Sequence, residues 1–159
     1  MAVRAVLTWP DARLRQHSAP IEDPFDLAVK VLYDDLCATM VAADGIGIAA
    51  PQIGVFQQMF IVDVAAIDRA LEGPPLCFIN PAVERLGRIR TEVEGCLSFP
   101  GEQIRVPRTA RVRVTAFDLA GKSFVVDGAT GLYARCIQHE YEHLIGRLLE
   151  DYRIGAWTP

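Results

Sequence analysis

Phe25, Val29, Leu32, Leu36 and Met40 recur at intervals of three and four residues, the spacing of one buried face of an α-helix. Asp23-Pro24 opens that stretch as an acidic N-cap with proline at the first helical position, and Asp26 follows three residues after the cap. The helix is expected to end near Asp44-Gly45, and its stripe reads as plain core. Between residues 55 and 126 the signals become mostly those of strands. Residues 60–64 form a short apolar run, and residues 111–117 alternate polar and apolar as a half-buried strand does. Residues 118–121 read as a turn and 123–126 as the returning arm of a hairpin. Pro74-Pro75 and Pro100-Gly101 read as loops. A second helix is predicted over residues 130–145, with Thr130 as cap and Gly146 as its end. Leu132, Cys136, His139, Glu140 and His143 share one side of it, facing the strands. Helices at both ends with strands between them predict an α+β fold, not a βαβ alternation. Its antiparallel sheets would pack around the C-terminal helix, with the N-terminal helix added.

The length of 159 residues suits one domain with a real core. A hydrophobic share of 51% and a charged share of 23% are those of an ordinary globular protein. A net charge of −4 without a basic tract argues against a direct nucleic-acid site. No apolar run reaches transmembrane length, so no membrane partner is expected. The first residues carry Arg4 and meet Trp9-Pro10-Asp11, which does not read as a signal peptide. The expected location is the cytoplasm, where thiols stay reduced. Cys37, Cys77, Cys96 and Cys136 are therefore read as core residues or ligands, not as two disulfides.

The candidate chemistry starts at His139-Glu140-Tyr141-Glu142-His143. Two of the three histidines stand four positions apart, which on a helix lets both imidazoles reach one metal ion. Glu140 falls where it can address a water at that ion. A catalytic centre of this kind normally takes three protein ligands and leaves a position open. Cys136 shares the helix face but lies about 10.5 Å along the axis from His143, against bonds of about 2.1–2.3 Å, so it would have to strain to join. Cys96, directly after Gly95, is the strongest candidate for the third ligand; spacing alone leaves Cys37 and Cys77 open. Residues 45–54 are rich in glycine but lack the Lys-Ser/Thr of a phosphate loop. Their free backbone groups suit an extended peptide laid alongside as an added strand, and the Gln52 amide can donate to an oxyanion. His17, in a polar segment, reads as surface.

Three segments together resemble the peptide deformylase family: GIGIAAPQ at residues 45–52, EGCLS at 94–98 and QHEYEH at 138–143. Residues 6–15 look like that family's N-terminal segment, and Gly131-Leu132 leads into the metal helix as it does there. The resemblance covers nearly the whole chain. It implies a single peptide-deformylase-like catalytic domain over residues 1–159. Cys96, His139 and His143 would bind one divalent metal with water in the fourth position. The family prefers Fe²⁺, with Zn²⁺, Ni²⁺ or Co²⁺ as alternatives, whereas a cysteine and two histidines by themselves suggest zinc. Glu140 would accept a proton from the water and pass it to the leaving amine. The Gln52 side chain and the Leu97 backbone N–H would donate to the tetrahedral oxygen. The implied substrate is a nascent peptide beginning with N-formylmethionine, from which formate is released. Its backbone would pair along Ile46, Gly47 and Gly95. Its methionine would enter a pocket of Ile46, Leu132, the Arg135 stem and Cys136.

The chain departs from the family pattern at Glu142, where the family has Asp. This carboxylate is expected to point off the metal face and to pair with Arg108. Thirteen residues follow Gly146, short of the long C-terminal helix by which some relatives contact the ribosome; any such contact is expected to be transient and weak, and the protein to be monomeric. Other readings are a catalytically altered paralogue that binds formyl-peptides, an enzyme acting on another N-acylated amine, and a generic zinc peptidase.

Overall fold

A computed structural model describes residues 1–69 and 72–153. The part of the tail at residues 154–159 lies outside the described residues. The first helix, α1 (Leu27–Ala42), starts later than the Asp23-Pro24 signal suggests, because Asp26 is its cap and accepts from the Ala28 N–H at 2.9 Å. The Asp23 side chain is used one turn earlier, on the Phe25 N–H. Two Asp residues thus compete for one helix start, and the first serves a local turn. Phe25 consequently falls outside the helix and is 74% exposed, with its ring over Gly121. Only Val29, Leu32, Leu36 and Met40 of the expected stripe are buried.

Strand β1 (Gly47–Ala49) pairs with β2 (Met59–Val62), and the short helix α2 (Val64–Ile67) follows, capped by Asp63. The centre of the sheet is a long hairpin of β3 (Leu76–Cys96) and β4 (Phe99–Phe117), and β5 (Ser123–Thr130) returns beside β4. The five strands form one antiparallel sheet in sequence order. Pro100-Gly101, expected as a loop, lies inside β4. Register shifts between Glu94 and Cys96, and Gly101 takes a positive φ of 77°, so an irregular pairing absorbs both residues without ending the strand.

Helix α3 (Gly131–Leu144) carries the histidines, and α4 (Glu150–Arg153) closes the described chain. Thr130 occupies the cap position of α3, but its side chain makes no capping bond. Gly146, at φ 67°, turns the chain after α3 where the Arg15 carbonyl leaves no room for a Cβ. Three apolar clusters hold these elements: one beneath α1, one between the sheet and α3, and one joining Leu14, Phe99 and Val106 to Leu148 and Leu149. Among the described residues no helix is long and apolar enough to cross a membrane.

Candidate metal centre

The β3–β4 turn is two residues long, since Cys96 pairs with Phe99 across Leu97 and Ser98. It places the Cys96 thiol at the strand end, against one face of α3. On that face the i, i+4 spacing brings His139 and His143 side by side, ring centroids 5.1 Å apart. The ligand atoms of Cys96, His139 and His143 all lie within 4.8 Å of one another, and Cys96 Sγ is 3.3 Å from His143 Nε2. An ion with sulfur and nitrogen bonds of about 2.3 and 2.1 Å would hold tetrahedral ligand atoms roughly 3.5 Å apart. The donor set and its spacing fit a divalent metal. Cys37 and Cys77, left open by spacing, belong to the apolar cluster beneath α1.

His139 Nδ1 is 3.0 Å from Glu94 Oε2, which leaves Nε2 for a metal. Burial pulls the His139 imidazole down, but Cys96, Glu94 and Glu140 together raise its pKa well above the usual value. His143 moves the other way, held well below its ordinary range by burial and by His139 and Arg108, and so stays neutral as a ligand must. Glu140 is buried, its Oε2 has no hydrogen-bond partner among the described residues, and burial pushes its carboxyl up to about 7. Such a pKa suits a group that takes and returns a proton near neutral pH.

Gln52 is also buried. Its Oε1 accepts from the Ala49 N–H at 2.9 Å, which turns its Nε2 toward Ser98 Oγ at 3.2 Å and Cys96 Sγ at 3.6 Å. A cleft of about 760 Å³ opens here; Gln52, Cys96, Leu97, His139 and Glu140 line it, and so do Ile46, Gly47, Gly95, Leu132, Arg135 and Cys136. Gly47 has a packing role besides a free edge: a Cβ there would meet Cys136 Sγ at 2.6 Å and Glu140 Oε1 at 2.8 Å. Cys136 Sγ lies 3.8 Å from the Ile46 carbonyl, and burial pushes its thiol well up, so it stays a protonated wall. Arg135 extends past the wall toward Glu92 and the Val93 carbonyl.

A family model described as polypeptide deformylase matches residues 3–155. The chain belongs to the peptide deformylase family. It is similar to the peptide deformylase of Saccharophagus degradans, 42% identical over 153 residues that cover 96% of this chain and 86% of that protein. Among solved structures it is similar to peptide deformylase from Legionella pneumophila, at a TM-score of 0.87 and 34% identity, covering 99% of this chain and 100% of that one. It is equally similar to the Ehrlichia chaffeensis peptide deformylase in complex with actinonin, at 0.87 and 35%, covering 96% of this chain and 89% of that one. The enzyme is therefore a hydrolase of this family.

In this deformylase, Arg108 and Glu142 do not line the cleft. They lie behind it in a buried charge network. Arg108 Nη1 donates to Glu142 Oε2 at 2.7 Å, while its Nε and Nη2 grip Glu94 at 2.9 and 2.7 Å. Burial alone would raise the Glu94 carboxyl, but Arg108 and His139 outweigh it and hold the group at about 2. Sequence reasoning assigned no role to Glu94, Ser98, Arg85 or Tyr152. Glu94 had a usable signal: it stands two residues before Cys96 on a strand, so both side chains leave the same face. Arg85 and Tyr152 are remote in sequence and gave none.

Proposed function

We propose that this single catalytic domain removes the formyl group from N-formylmethionine at the start of nascent peptides. The ion held by Cys96, His139 and His143 is Fe²⁺ by family resemblance, although the ligand set alone would suit Zn²⁺. When bound, it supplies Lewis acidity and makes water a nucleophile near neutral pH. Glu140 takes the proton of the attacking water and delivers it to the departing amine. Gln52 Nε2 and the Leu97 N–H donate to the oxygen that gains charge as the formyl carbon becomes tetrahedral. The peptide backbone pairs along Ile46, Gly47 and Gly95, and the methionine side chain fills the space between Ile46, Leu132, Arg135 and Cys136. Arg108 and Glu142 keep the ligand shell in place through Glu94.

The observation that carries this reading is the convergence of three candidate ligand atoms beside a buried carboxylate whose Oε2 has no partner among the described residues, in a cleft with an apolar wall. Protein loaded anaerobically with Fe²⁺ should release formate from formyl-Met-Ala-Ser, and Glu140→Ala should lose about 100- to 10,000-fold of that rate. Stoichiometric metal without formate release would move the assignment to a paralogue or to another N-acylated amine. Release of a free amino acid would indicate a peptidase.

A further inference from the structure

Glu142 is longer than the carboxylate of the family pattern, and its two oxygens accept from three separate elements. Oε2 takes Arg108 of β4, while Oε1 takes Arg85 Nη2 of β3 at 2.8 Å and Tyr152 Oη of α4 at 2.6 Å. The side chains of Arg108, Glu142 and Glu94 are 2%, 4% and 8% exposed. At this depth two carboxylates and one guanidinium would leave a net negative charge behind the histidines. Arg85, reaching Glu142 from the more exposed side with one third of its side chain in solvent, brings the count to two of each sign. The Arg108 guanidinium also lies over the Tyr152 ring, 5.5 Å from its centroid.

We propose that Tyr152 and Arg85 are positioning residues of the metal centre, acting on His139 through Glu142, Arg108 and Glu94. The sequence of contacts is continuous: the Tyr152 hydroxyl and Arg85 fix Glu142, Glu142 fixes Arg108, Arg108 grips Glu94 on both oxygens, and Glu94 orients His139 Nδ1. Because Arg108 is rigid and planar, a shift at Glu142 is passed to Glu94 instead of being absorbed. The short helix α4 thereby holds the ligand shell without touching it. This rests on the reading of Cys96, His139 and His143 as the metal ligands.

Zinc-loaded protein challenged with an excess of chelator tests the idea. Partners that touch a ligand directly change metal affinity by about 10- to 100-fold. Tyr152→Phe, which keeps the ring against Arg108, should speed zinc release by roughly 3- to 10-fold, as a more distant member of that shell. Arg85→Met, at a side chain one-third exposed, should do the same. In both, the His139 Nδ1–H proton resonance should shift from its wild-type position. In a Glu142→Asp background, where the shorter arm no longer reaches Tyr152, Tyr152→Phe should have no further effect on release. Release rates within twofold of wild type in both single variants, with the resonance unmoved, would overturn the proposal even if thermal stability falls. Failure of the wild type to bind zinc stoichiometrically would instead overturn the metal-centre reading on which it rests.

Discussion

Helices α1 and α3 pack against the same sheet, and they are held there by different forces. The buried face of α1 is mainly Val29, Leu32, Leu36 and Met40, and its one buried carboxylate, Asp35, sits at the edge with Arg4 and the Ala2 N–H. Loss of apolar surface from water is enough to place it. The buried face of α3 includes Gln138, Glu140, Glu142 and His143. Burying such groups is unfavourable unless each is hydrogen-bonded, paired or bound to an ion. Gln138 satisfies Thr109, and Glu142 is paired three ways, yet Glu140 Oε2 has no partner among the described residues. The helix that gives up stability is the one that carries the chemistry.

Glu140 offers the sharpest break between the two. Replacing it should cost up to about 10,000-fold in turnover, yet the metal-free Glu140→Gln protein should melt no lower than wild type, since it removes a buried carboxylate whose Oε2 has no partner among the described residues. Turnover and melting temperature measured side by side check this. Arg108→Met comes next. It removes the buried guanidinium that Glu94 and Glu142 share and should destabilise the metal-free protein by about 3–5 kcal/mol, with metal retention falling as well. Leu36→Ala, fully buried on α1, should cost about 2–5 kcal/mol in denaturant unfolding and leave metal affinity unchanged. If Leu36→Ala altered metal affinity, the two helices would not be separable as argued.

How far the two helices could be read from the chain differs for the same reason. The stripe on α1 was visible because periodic burial is a local pattern. Its start was misplaced because Asp23 and Asp26 both carry a cap signal, and only packing decides between them. The candidate ligands, Glu140, Gln52 and part of the cleft wall stand in short contiguous motifs, and the structure brings these segments together around one cleft. The network behind them was mostly invisible. Arg85 and Tyr152 meet Glu142 from β3 and α4, so nothing local announces them. The long β3–β4 hairpin was seen only in part, because residues 84–95 alternate charge with few apolar anchors.

A smaller effect separates the two site carboxylates by pH. The Glu94 carboxyl, near 2 when folded against 4.5 ordinarily, contributes stability that is present above pH 4.5 and lost as pH falls toward 2. Glu140, near 7 when folded, favours its neutral form, so it destabilises the metal-free fold increasingly as pH rises from 4.5 to 7. The melting difference between wild type and Glu94→Gln should close toward pH 2, and that between wild type and Glu140→Gln should open toward pH 7.

The central claim is that the buried charge of α3 serves a metal held by Cys96, His139 and His143. X-ray absorption on the metal-loaded protein, beside Cys96→Ser, tests it most directly. The account predicts one sulfur at about 2.3 Å and two imidazole nitrogens at about 2.1 Å, with the sulfur lost in the variant. Metal coordination without sulfur in the wild type, or with sulfur retained in Cys96→Ser, would contradict it.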